Sequence, residues 1–167
     1  SQRKVYDLII SEPSNPWVSG VSSLFTTEYY RDIKKYIAPK GQLVQWMHSY
    51  EFNTELLLSI LKALKENFKY VEVYGTIQPK QETQTTSHND LIILASQDAG
   101  SLRNNPRLEK EPLLLKSLER LKLTPKAFIK HSYLFSADIL IPLFQYYHTN
   151  SDFLPVVDNG AEKAFFM

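Results

Sequence analysis

The order in which short apolar runs alternate with amphipathic stretches constrains this chain more than any other feature. Residues 5–11 (VYDLIIS), Gln42 to Met47, Tyr70 to Tyr74 and Leu91 to Ala95 are short, rich in Val, Ile and Leu, and bounded by turn or polar residues. That is the pattern of strands buried in a sheet. Between the first two runs, Thr26-Thr27-Glu28 reads as a helix start, with threonine as cap and glutamate near the positive end of the dipole. Tyr29, Ile33, Tyr36 and Ile37 follow on one face, and Pro39-Lys40-Gly41 stops the helix. Between the second and third runs, Asn53-Thr54-Glu55 opens a helix whose stripe is Leu57, Ile60, Leu61, Leu64 and Phe68. No helix separates the last two runs, which are joined by the polar segment 78–89, QPKQETQTTSHN. This segment has little to bury and is expected to be the most mobile internal loop, bordering the mouth of the sheet. The order β-α-β-α-β-β predicts a mostly parallel sheet with crossover helices, and an antiparallel pairing of its last two strands.

Beyond residue 100 the pattern turns helical, over 111–122, 124–131 and 133–148, with Pro142 kinking or dividing the last stretch. The tail is expected to be extended and packed by Phe153, Val156 and Phe165. Nineteen Lys and Arg against eighteen Asp and Glu leave a net charge of +1, which gives no electrostatic ground for a nucleic-acid partner. Cysteine is absent, which excludes disulfides, thiolate nucleophiles and zinc–thiolate sites and suits a reducing compartment, so a cytoplasmic location is the default. No apolar run approaches the ~20 residues that span a bilayer, so this segment is expected to make no membrane contact. His88, His131 and His148 have no ligand spacing, and no metal is predicted.

The first strand stops on Ser11-Glu12 and a loop containing Pro13, Asn15, Pro16 and Trp17. The stretches YDLIISEPSNPW (6–17), LFTTEYY (24–30) and APKGQLVQW (38–46) resemble the spermidine-synthase-like proteins. The segment NSDFLPVVD (150–158) is similar to the segment that ends their larger members. The resemblance covers residues 5–97 and 150–158. It implies the C-terminal half of a Rossmann-like, class I S-adenosylmethionine-dependent methyltransferase fold over residues 1–98, with a helical extension and packed tail over 99–167. The chain would then begin at the fold's fourth strand. In keeping with this, its five glycines (Gly20, Gly41, Gly75, Gly100 and Gly160) are isolated and form no glycine-rich cofactor loop.

The resemblance further implies a transferase moving an aminopropyl or methyl group from S-adenosylmethionine or its decarboxylated form to a small amine. Glu12 matches the first aspartate of the family's Asp-Ser-Ser-Asp-Pro and is the expected catalytic carboxylate, holding an ammonium and assisting its deprotonation. Asn15 matches the second aspartate, and the lost charge removes a partner for a diamine cation. Asn15-Pro16-Trp17 also resembles the Asn-Pro-Pro-aromatic loop of amino-methylating enzymes. Ser11, Glu12 and Pro13 are the expected donor contacts, and Asn15, Trp17, Gln45, His48 and Tyr50 the expected acceptor contacts. Each has a plainer reading: Glu12 as a solvated loop acid, Trp17 as a pin for the loop, His48 as an incidental loop histidine.

An alternative to catalysis is a scaffold that retains the fold without activity. By itself this segment is expected to be inactive and to bind neither form of the donor tightly. Its expected partner is the N-terminal half of the same domain. The edge of strand 5–11 is expected to self-associate or to be covered by the C-terminal helices or tail. Larger relatives can be attached to a membrane elsewhere in the chain.

Overall fold

The computed structural model describes residues 4–13, 20–48, 53–76, 90–100 and 106–158. Five strands form one sheet: β1 (Tyr6–Ser11), β2 (Ile37–His48), β3 (Tyr70–Gly75), β4 (Asp90–Ser96) and β5 (Tyr133–Ser136), in the order β1-β2-β4-β3-β5. β1 and β2 are parallel, while β4 lies antiparallel between β2 and β3. The expected order of the first four strands and the antiparallel pairing of the last two predicted strands are therefore found, but the sheet is not mostly parallel: β4 inserts between β2 and β3 and β5 joins β3, so three of the four pairings are antiparallel. The polar segment 78–89 lies outside the described residues.

Helix α1 (Thr27–Lys34) starts where its cap predicts: the Thr26 hydroxyl accepts from the Tyr29 amide. Helix α2 (Thr54–Asn67) is capped in the same way, the Asn53 side chain accepting from the Leu56 amide at 2.9 Å. Its stripe is buried at Ile60, Leu61 and Leu64, and Phe68 completes it at the C-cap. These side chains pack with Leu43, Met47, Val71, Val73, Ile93 and Ala95 of the sheet to form the core. In α1 the fully buried ring is Tyr30, whereas Tyr36 is exposed. The helix ends at Lys34 and the chain turns at Lys35 and Tyr36, so Tyr36 and Ile37 leave the predicted helical face.

β2 is longer than Gln42–Met47 because it takes in the residues predicted to be a stop. Tyr6 pairs with Ile37 and Leu8 with Gln42, so the register slips there and accommodates Pro39. Gly41 sits in that slip. A Cβ on it would lie 2.8 Å from the Tyr6 carbonyl oxygen, 2.9 Å from Ile37 Cγ2 and 3.0 Å from the Asp7 carbonyl oxygen. Two of these are backbone atoms that cannot rotate away. Gly41→Ala should therefore destabilise the fold by about 1–3 kcal/mol in chemical denaturation, and an unchanged midpoint would contradict this packing.

Residues 133–148, expected to be helical, begin with β5 instead. Pairing with β3 there is favoured by the β-prone Tyr133-Leu134-Phe135, and a 3₁₀ helix over Ala137–Tyr146 carries Pro142. The helices α3 (Pro112–Glu119) and α4 (Pro125–Ser132) precede it. Phe153 is 92% exposed and does not pack the tail, a role taken by the buried Val157 and half-buried Val156. Phe165 lies outside the described residues. β1 is an edge strand, and Tyr6, Leu8 and Ile10 are exposed on one face. The C-terminal helices do not cover it, because the segment that follows them extends the opposite edge of the sheet through β5.

Candidate functional site

Parallel pairing places the carboxyl ends of β1 and β2 at one end of the sheet, with Ser11 opposite Gln45. The start of antiparallel β4 joins them there, with Asp90 opposite His48. In sheets of this kind ligands bind beyond the carboxyl ends of the parallel strands.

Of the three expected donor contacts, Glu12 is exposed while Ser11 and Pro13 are buried. The Ser11 hydroxyl accepts from the Tyr29 hydroxyl at 3.3 Å, so it helps to seat α1 on β1. Gln45, expected to touch the acceptor, is fully buried on the core face. Its Oε1 accepts from the Tyr30 hydroxyl at 2.6 Å and its Nε2 donates to the Leu24 carbonyl at 3.1 Å. Burial pushes the Tyr30 phenol well above its ordinary pKa, Tyr29 adds to that rise, and the Gln45 bond opposes it. The phenol is therefore a fixed neutral donor. Alternation along β2 explains the outcome: Leu43, Gln45 and Met47 point to the core, so Trp46 and His48 point to the other face. Asn15, Trp17 and Tyr50 lie outside the described residues.

His48 lies on that other face, at the mouth. Its Nδ1 is 2.6 Å from Asp90 Oδ1, and both side chains are partly exposed, at 22% and 28%. Its ring meets Trp46 edge to face, with centroids 4.0 Å apart. The chain runs on into a third anchor, the Thr76 amide donating to the Asp90 carbonyl at 3.0 Å. A pocket of about 380 Å³ opens between the sheet and α4, and His48, Asp90 and Trp46 are not among its described lining residues. Ile92, Leu94, Phe128 and Ile129 give it apolar walls, and Thr76 is among the residues that line it. Asp90 and Trp46 escape a reading of the sequence, since joining Asp90 to His48 needs the antiparallel register of β2 and β4. The one available signal is the period of two that sets Trp46 and His48 on a single face.

The sequence matches the Spermine/spermidine synthase domain over residues 1–90. It is 33% identical over 116 residues to a polyamine aminopropyltransferase of Clostridioides difficile (strain 630), a match covering 68% of this chain and 39% of that protein. A polyamine aminopropyltransferase of Sulfolobus acidocaldarius is 36% identical over 75 residues, covering 44% of this chain and 25% of its own length. The fold is similar to that of a probable spermidine synthase from Corynebacterium glutamicum ATCC 13032, with a TM-score of 0.51 and 17% identity over 90% of this chain and 49% of that one. The chain thus spans about two-fifths or less of these curated relatives. Among the described residues no helix is long and apolar enough to cross a membrane.

Proposed function

Since the chain belongs to the spermine/spermidine synthase family, we propose that the protein transfers an aminopropyl group from decarboxylated S-adenosylmethionine to an amine. The observation that carries this reading is Glu12, an exposed carboxylate directly after β1 at the ligand-binding end of the sheet. Such a donor supplies a carbon activated by an adjacent sulfonium. The acceptor must offer a nitrogen lone pair, which an ammonium lacks. A carboxylate at this position attracts the ammonium and assists removal of its proton. Glu12 is suited to that work because its neighbours Ser11 and Pro13 are held in the fold and fix the strand end beneath it.

Toward the donor, Glu12 is the one exposed side chain among the three predicted contacts. Ser11 and Pro13 support the reading as the rigid base of the loop. Gln45 serves through Tyr30, keeping α1 against β2. Asn15, Trp17 and Tyr50, in the segments of the sequence after β1 and β2, remain the proposed acceptor contacts.

Incubation of this segment, joined to the N-terminal half expected as its partner, with decarboxylated S-adenosylmethionine tests the reading. Release of the donor's thioether should require an added amine. Release at the same rate without any amine, or no release with a panel of amines, would refute it.

A further inference from the structure

We propose that the C-terminal segment 149–158 is a positioning element for Glu12, acting through Asn150 and Asp158. This rests on the amine-transfer reading above. The segment touches neither donor nor amine in this role; it holds the piece of chain that seats the end of β1.

That piece is the 3₁₀ turn Val21–Phe25 together with the first turn of α1. Two side-chain amides from different elements grip successive carbonyls of it. Gln45 of β2 donates to the Leu24 carbonyl at 3.1 Å, and Asn150 donates to the Phe25 carbonyl at 2.9 Å. Both side chains are fully buried. The Thr27 amide donates to the Asn150 carbonyl at 2.9 Å, and the Asp152 amide donates to Glu28 Oε2 at 3.0 Å. At the start of the turn the buried Ser22 hydroxyl donates to Asp158 Oδ1 at 3.0 Å. The Val157 amide donates to Asn150 Oδ1 at 3.1 Å, which joins the two ends of the segment. Asn150 stands 125 residues from Phe25 in the chain, so these contacts couple the region beyond the sheet to its mouth.

From this turn the support reaches Glu12. Tyr29, in the first turn of α1, donates its hydroxyl to Ser11 Oγ at 3.3 Å, and Ser11 is the residue before Glu12. Helix α1 is therefore held at its start by the C-terminal segment and holds the end of β1 in turn. Apolar packing is non-directional and lets partners slide, whereas a hydrogen bond fixes distance and angle. A buried amide that loses its partner is costly, so Gln45 and Asn150 favour one seating of the turn. A carboxylate that must meet a proton within hydrogen-bond reach gains from a fixed seat. A displacement on the order of 1 Å can cost about 100-fold in rate.

The test uses this segment joined to the N-terminal half expected as its partner. Its main target is Asp158, whose side chain is exposed, so that its loss leaves the core intact. Asp158→Ala and Ser22→Ala should each lower kcat for amine alkylation by roughly tenfold or more, with KM unchanged, because position and not binding is lost. The double variant should be no slower than either single one, since all three remove the same bond. Asp158→Asn, which keeps an acceptor oxygen, should restore most of the rate. A second readout is independent of turnover: the Glu12 amide signal in nuclear magnetic resonance should move in Asp158→Ala and in Ser22→Ala, and return toward its place in Asp158→Asn. Unchanged kcat in both single variants, losses that multiply in the double variant, Asp158→Asn as slow as Asp158→Ala, or a Glu12 signal that stays in place would overturn the proposal. If the unsubstituted protein alkylates no amine, the transfer reading fails and the Glu12 signal alone decides: movement in both variants upholds the support, and an unmoved signal overturns it.

Discussion

Glu12→Gln should lower the rate of amine alkylation by about 10²–10⁴-fold, the usual contribution of a positioned acid–base group. The substitution keeps the size and polarity of the side chain and removes only its charge and basicity. Glu12 is exposed and follows the last residue of β1. Thermal or chemical unfolding should therefore be unchanged within about 0.5 kcal/mol, as for surface substitutions generally. The two measurements together separate a role in chemistry from one in folding. Equal turnover of Glu12→Gln and the unsubstituted protein would reduce Glu12 to a solvated loop acid.

Asn150→Ala should be the most destabilising single change in the C-terminal region. Asn150 is fully buried, and four of its groups are used. Its Nδ2 donates to the Phe25 carbonyl at 2.9 Å and its Oδ1 accepts from the Val157 amide at 3.1 Å. Its backbone carbonyl accepts from the Thr27 amide at 2.9 Å, and its own amide donates to the Ser59 carbonyl at 3.5 Å. One residue thus ties the C-terminal segment to the start of α1 and to α2. Alanine would remove both of these side-chain bonds from a buried site. At roughly 1–3 kcal/mol for each buried bond lost, the expected loss is about 2–6 kcal/mol. A loss below about 1 kcal/mol in denaturant unfolding would mean that the segment 150–158 is not seated in this way. Asp158, which accepts from the Ser22 hydroxyl at 3.0 Å, makes a second tie to the same region.

The parts of the fold visible in the sequence were those set by local chemistry. Thr26 and Asn53 cap helices because a short oxygen-bearing side chain before an apolar stripe has little else to do. The antiparallel placement of β4 followed from the missing crossover helix. What was hidden depends on pairing between distant segments. β5 reads as helix from its neighbours and becomes a strand because the β3 edge is available. Gln45 reads as a site residue by its position near a strand end, and its side-chain face, settled by a period of two, turns it to Tyr30 instead. Glu12 is singled out in the sequence by its place after an apolar run and by its match to the family's first aspartate. Asp90 was not, because its partner His48 lies forty-two residues away and meets it only through the register of two strands.

The central claim, transfer of an aminopropyl group to an amine nitrogen, is tested most directly by the mass of the acceptor after turnover. The segment, joined to the N-terminal half expected as its partner, is supplied in parallel with decarboxylated S-adenosylmethionine and with S-adenosylmethionine, each with the same primary amine, and the products are read by mass spectrometry. The expected result is an acceptor heavier by one aminopropyl group with the decarboxylated donor, formed in proportion to the thioether released and unchanged with the carboxylated one. An acceptor heavier by a methyl group, or one that gains no mass from either donor, would contradict the account.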